Sequence, residues 1–254
     1  MGFLFLDSNY FCMNFKKSHL IILFLFTVFI IVFGIYFYKQ THLPKIKELD
    51  LSKYKITGID ISNHQGKIDW NKVKYWNGRK INFIYVKATE GASHVDLSYL
   101  KNIDGAQAND FLVGSYHYFR TTSSPADQFK NFIKTVDKTK QDLIPLIDVE
   151  EMNNWDDKTF HANLKSFLSD VEEYFGKKPM IYCVNTFYNK HLAGKYNEYK
   201  FFIGRYGNYE PFFKDKNNWT IWQFTESAIV YGIPKKVDVD LLNFRENFDE
   251  LLLK

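Results

Sequence analysis

The chain has 254 residues, 24% of them charged and 46% apolar, enough for one large domain or two small ones around a sizeable core. A net charge of +4 without a basic run excludes a nucleic-acid arm, and two cysteines, Cys12 and Cys183, exclude a fold built on disulfides. An aromatic share of 19% suits a large core and stacking on sugar rings equally.

The first element is "LIILFLFTVFIIVFGIYFY", residues 20–38, which carries no charge and has the length needed to span a bilayer. Lys16 and Lys17 precede it and Tyr36-Phe37-Tyr38 ends it, so a cytoplasmic N-terminus and an interfacial aromatic belt are expected. A cleaved signal peptide is the rival, but no small-residue cleavage site follows in "KQTHLPKIK". The expected division is a cytoplasmic segment 1–18, a transmembrane anchor 19–38, a linker 39–55 and a soluble domain 56–254. That domain is placed outside the cytoplasm, periplasmic or extracellular, with cleavage and secretion as the alternative. Met13 opens a more ordinary anchor sequence than Met1 does, so translation starting at Met13 is a further expectation.

From residue 56 strands and helices alternate. "ITGIDIS" (56–62) is strand-like and precedes the amphipathic "DWNKVKYW". "INFIYVKATEG" (81–91) is followed by a helix near 95–110, and "FLVGSYHYF" (111–119) by a helix that opens on Ser124 and Pro125. "DLIPLIDVE" (142–150) is the fourth strand, and the helix after it closes on Gly176 and Pro179. "MIYCVN", with a short helix behind it, and "KFFIGRY" continue the pattern. Thereafter the helices stop, and "WTIWQFT" (219–225) and "VDVDLLNF" (237–244) read as strands joined by loops. Alternation of this kind implies a mainly parallel sheet, and the strand count suits a barrel.

In a parallel barrel the chemistry gathers at the C-terminal strand ends. Asp60 stands near the end of the first strand, Glu90 at the second, Tyr116 near the third, Asp148 and Glu150 at the fourth and Asp238 in the last. Asp148 and Glu150, two apart, share a strand face and resist joint ionisation, which favours keeping one as an acid. Together these ends describe an acidic bowl with an aromatic wall, and paired carboxylates in it suit glycoside hydrolysis. Glu90 is read as structural.

"GIDISNHQGKIDW", "FIYVKATEG", "GSYHYFR", "PLIDVE", "IYCVN", "WTIWQFT" and "VDVDLLNF", in this order, resemble the glycoside hydrolase family 25 lysozymes, the Chalaropsis-type N-acetylmuramidases. The resemblance runs from about Gly58 to Phe244. It implies an α/β fold, an irregular TIM-like (β/α)5(β)3 barrel, here preceded by a transmembrane helix. It implies hydrolysis of the β-1,4 bond between N-acetylmuramic acid and N-acetylglucosamine in peptidoglycan. Glu150 is then similar to the general acid and Asp148 to its partner, Asp60 and Asp238 match the other acidic positions, and Tyr116 matches an active-site tyrosine. Gln65, Lys87, Trp222 and Gln223 join Tyr116 as expected substrate contacts, although Lys87 also suits a structural ion pair and Trp222 the core. Whether the acetamido oxygen of the substrate, an enzyme carboxylate or water attacks is left open, with substrate assistance and retention favoured by the resemblance. Phe202 stands where the family often has Trp, and Asp240 where it often has Asn; both read as tolerated variation.

No metal is expected, because His64 and His117 lack ligand spacing, and no cofactor is implied. The expected partners are peptidoglycan glycan strands and, through the anchor, the membrane; nucleic acid is not one, and a monomer is assumed. A chitinase-like barrel also ends its fourth strand in D-x-E, but it carries further acids upstream, where this chain has Leu143 to Ile147. A glycan-binding protein without activity would be marked by loss of Asp148 or Glu150, and both are present. A freely diffusing phage-type lytic enzyme is disfavoured by the anchor.

Overall fold

The computed structural model describes residues 8–42, 49–153, 155–215 and 218–254, with side chains described for 19–38 in the first stretch. The chain forms two compact units, Met1–Glu48 and Leu49–Lys254. The readings of Cys12 and of a start at Met13 concern side chains outside the described residues.

The first unit is helix α1, Ser8–His42. Within it His19–Tyr38 has a mean hydropathy of 3.0, long and apolar enough to cross a membrane, as a signal sequence also is. There the Thr27 hydroxyl turns back onto the helix, donating to the carbonyls of Leu23 and Phe24.

The second unit is a closed barrel. Its strands are β1 (Thr57–Ile61), β2 (Arg79–Glu90), β3 (Leu112–Tyr118), β4 (Leu146–Asp148), β5 (Met180–Val184), β6 (Phe201–Gly204), β7 (Ile221–Ala228) and β8 (Val237–Leu242). Neighbours in sequence pair in space and β8 returns to β1. All pairings from β1 to β7 are parallel; β8 runs antiparallel to both of its neighbours. The eight-stranded barrel expected from the sequence is present. Among the described residues three longer α-helices cover it, α2 (Tyr99–Gln107), α3 (Pro125–Thr135) and α4 (Asp157–Phe175), and the short helix expected after β5 is present as an α turn, Asn185–Phe187, that continues as a π turn, Tyr188–Leu192. The Ser124 hydroxyl caps α3 by accepting from the Asp127 N–H, Asp156 caps α4 from Thr159, and Gly176 ends α4 in the left-handed conformation.

Period-two alternation sorts the strand residues between two cores. Outward residues such as Ile84, Val86, Ile147, Val149, Ile181, Trp222 and Val239 pack in the layer that holds the helices. Inward residues Phe83, Tyr85, Leu146, Met180, Tyr182, Phe202, Ile221 and Leu242 fill the barrel floor. Buried His117 sits in the outer layer, its ring nitrogens bonded to Thr89 Oγ1 (2.7 Å) and Gln128 Oε1 (3.1 Å), and burial lowers its pKa to about 4.

Two boundaries differ from the sequence reading. The segment after β1 forms 3-10 turns at Asn63–Gln65 and Trp70–Lys72 in place of a full covering helix. Trp70 takes the place a helix would fill, lying where a side chain on Gly105 of α2 would collide with it. The compact unit also begins before residue 56: Tyr54 is fully buried, and Leu49 and Leu51 pack against the core.

Gly58 on β1 leaves room for the Phe83 ring, which a Cβ at this position would meet at 2.2 Å. Gly58→Ala is expected to cost about 1–3 kcal/mol through overpacking. Thermal melts should show a fall of roughly 3–10 °C for a unit of this size.

Candidate active site

The inward residues at the strand ends that stand above this floor enclose a cavity of about 220 Å³. Asp60, Tyr116, Asp148, Glu150, Tyr182, Phe202, Tyr206, Gln223, Glu226 and Asp238 line it, with Leu146 below. Five carboxylates therefore face one small space, and among the described residues no cationic side chain lines it.

Burial is the first cause of every carboxyl shift here, and mutual repulsion adds to most. The Asp148 carboxyl is driven well above its usual range by burial, then by the charges of Glu150 and Asp60. Its Oδ1 has no hydrogen-bond partner among the described residues. Burial also raises Glu150, against the Tyr118 hydroxyl (donating at 3.2 Å), Arg120 and Lys87, which favour its ionised form. Glu150 has left the strand and stands at the solvent-exposed rim, while Val149 points into the outer core. Asp238 is pushed up to about 8 by burial, Asp60 and Glu226, and Asp60 to about 6 by burial, with the Gln223 hydrogen bond opposing. Burial and the surrounding Asp60, Asp148 and Asp238 keep the Tyr116 hydroxyl protonated, hence a donor.

Gln223 organises the polar floor. Its Nε2 donates to Asp60 Oδ2 at 2.7 Å, and its Oε1 accepts from the hydroxyls of Tyr182 and Tyr206, both at 2.8 Å. One amide thus fixes an acid on β1, a tyrosine on β5 and another just beyond β6.

A second network supports the rim from behind. Lys87 Nζ and Arg120 hold Glu90, at 2.6 and 2.5 Å, and Arg120 Nη1 holds Glu151 at 3.0 Å. The Tyr118 ring lies over the Arg120 guanidinium, 4.4 Å from its centroid, while its hydroxyl reaches Glu150. Although burial raises Glu90, hydrogen bonds from Lys87 and Arg120 outweigh it and hold the carboxyl at about 2.

Of the residues expected from sequence, Asp60, Tyr116, Asp148, Glu150, Gln223 and Asp238 line one cavity. Three do not. Gln65 is buried in a capping box, accepting from the Ser62 N–H and donating to the Lys236 carbonyl. Lys87 is engaged by Glu90 behind the rim. Trp222 points outward into the core, and its Nε1–H donates to the Arg205 carbonyl at 2.6 Å. The sequence reading missed Tyr182, Tyr206 and Glu226. Tyr182 was within reach of strand parity, since Met180 and Tyr182 alternate inward; Tyr206 and Glu226 lie past the regular pattern.

An acid-lined barrel mouth with a carboxylate pair at the end of one strand is the site of a glycoside hydrolase. The sequence profile described as Glycosyl hydrolases family 25 matches residues 59–233, and the chain belongs to that family, as a family 25 lysozyme. It is similar to the uncharacterized protein YegX of Escherichia coli K12, 36% identical over 194 residues that cover 76% of this chain and 71% of that one. It is also similar to the autolytic lysozyme of Clostridium acetobutylicum, 30% identical, covering 72% of this chain and 54% of the relative. A family 25 glycosyl hydrolase structure from Bacillus anthracis superposes with a TM-score of 0.70 and 29% identity, over 80% of this chain and 94% of that one.

The Glu90 carboxyl titrates lower folded than unfolded, so its stabilisation is present above the unfolded value near 4.5 and fades as pH falls towards about 2. Glu90→Gln should therefore melt well below wild type at pH 6, with the gap narrowing by pH 3.

Proposed function

We propose that the chain hydrolyses the β-1,4 bond between N-acetylmuramic acid and N-acetylglucosamine in peptidoglycan, with Glu150 as general acid and Asp148 as its partner. The observation that carries this reading is that Glu150, exposed at the rim, lines the same cavity as the desolvated Asp148 carboxyl. The autolytic lysozyme and the N,O-diacetylmuramidase among its relatives support the choice of bond.

The chemistry follows from the charges. Asp148 and Glu150 together hold a proton near neutrality, because both are raised by burial. A sugar seated over the rim displaces water, and that further desolvation favours the protonated form of Glu150. Glu150 then gives its proton to the glycosidic oxygen as the bond breaks. Positive charge developing on the sugar ring is met by Asp60, which Gln223 already holds in place, while Asp238, raised to about 8, keeps its proton and offers the substrate a donor. Asp148 orients the acetamido group, whose oxygen attacks the anomeric carbon, and water then opens the intermediate with net retention. Tyr116 donates to the substrate and Gln223 holds Asp60 steady; contacts from Gln65, Lys87 or Trp222 are not part of this reading.

Residues 19–38 are proposed as an uncleaved anchor, with the catalytic domain on the side of the membrane where peptidoglycan lies. The relevant support is the length and apolarity of the helix together with the lysines ahead of it.

Purified protein acting on peptidoglycan should release ends that borohydride converts to reduced muramic acid, and Glu150→Gln should lower kcat by about 10³-fold or more, the loss of an acid that holds the reaction's proton. Reduced glucosamine ends would identify a different bond, and glycan binding without cleavage would leave a binding module. Product anomers followed by NMR should show retention; inversion would remove the acetamido attack. For the anchor, the native protein should stay with membranes through carbonate extraction and keep its hydrophobic segment on intact-mass analysis. A mass lacking residues before the linker would make the segment a signal peptide.

A further inference from the structure

Asp240 lies one layer below the cavity. It pairs in register with Gly58 of β1 and Gln223 of β7, and it is completely buried. Asp60 pairs with Asp238 in the same ladder, so Asp60 and Asp240 are diagonal neighbours on one face of it, with their carboxyls turned to each other. Among the described residues no donor reaches either Asp240 oxygen. Two carboxylates facing each other are two acceptors, so the contact needs a proton between them. The titratable groups facing Asp240 are Asp60 on β1, Asp238 on its own strand and Tyr85 on β2, with no cation among them. Asp60 already accepts from Gln223 and opens on the cavity, whereas among the described residues no donor reaches the fully buried Asp240 carboxyl. The proton therefore resides on Asp240.

We propose that Asp240 is a positioning residue, a neutral carboxylic acid that donates its hydrogen to Asp60 and so keeps Asp60 ionised and aimed into the cavity. Asp60 then has two donors from below, the Gln223 amide and the Asp240 hydroxyl, and its charge is left to serve the substrate. Burial drives the Asp240 carboxyl well above its usual range, in agreement with this assignment. The inference rests on reading Asp60 as an active-site acid, but its first test does not need activity.

An acid that is protonated when folded and ionised when unfolded makes the fold bind the extra proton, so stability falls as pH rises above the unfolded value near 4. Asparagine keeps the shape and an N–H donor and has nothing to ionise. In the full chain, Asp240→Asn is expected to melt close to wild type at pH 4 and to gain on it by about 3–5 °C per pH unit towards pH 7. A gap that stays level or closes with rising pH means that Asp240 is ionised, and it overturns the proposal.

The second test reads kcat/KM against pH on peptidoglycan. Asp240→Leu removes the donor, so the acid limb governed by Asp60 should move up by about one pH unit; Asp240→Asn should leave that limb within about 0.3 unit of wild type. A limb that stays in place in folded Asp240→Leu, or that moves as far in Asp240→Asn, overturns the positioning role. If Asp240→Leu does not fold, the melts and the asparagine profile decide. Wild type that cleaves no peptidoglycan while the asparagine variant still gains stability with pH would fault the proposed function and leave the protonation assignment standing.

Discussion

Five carboxylates share a small cavity with no positive charge lining it among the described residues, and much of the barrel is arranged around that repulsion. Removing carboxylates from water costs several kcal/mol each unless something compensates. Compensation comes in three forms. Some groups keep their protons, as the upward shifts of Asp148 and Asp238 require. Some receive neutral donors, as Asp60 does from Gln223. Cations act only from behind the wall, where Lys87 and Arg120 are spent on Glu90 and Glu151. A cation inside would lower every carboxyl and leave the site without an acid.

The two networks have different duties. The Lys87–Glu90–Arg120–Glu151 cluster is a charged brace that touches the cavity through Tyr118 and acts on Glu150 through the charges of Arg120 and Lys87. The Gln223 cluster is centred on an uncharged amide and crosses the barrel, binding elements far apart in sequence. The brace holds only while its members are ionised; in the Gln223 cluster the amide and the two tyrosine hydroxyls stay neutral, and Asp60 alone titrates, near 6.

Much of this was legible in the sequence. Strand order, the change from covered to uncovered strands after residue 206, and the gathering of Asp60, Asp148, Glu150 and Asp238 all follow from alternation and from the position of acids at strand ends. What was less legible has physical reasons. Trp222 and Gln223 are adjacent, so strand parity sends one inward and one outward, and only packing decides which. Gln65 sits beside a site acid in sequence, yet a capping box turns it away. Asp240 reads as a harmless substitution until its lack of donors is seen, because an unsatisfied buried group has no signature in a linear pattern. The first covering helix failed because Trp70 fills its place with one side chain.

The reversed direction of β8 has a consequence for the order of assembly. The strand that seals the barrel is the last to leave the ribosome, and it carries Asp238 and Asp240 to meet Asp60 on the first strand. Contacts between the two ends of a domain are the most distant in sequence and among the slowest to form. Until they form, β1 and β7 are open edges and the acids are scattered along an incomplete sheet. The acid-lined cavity comes into being only with the final closure, so a nascent chain carries all of its acids and no site.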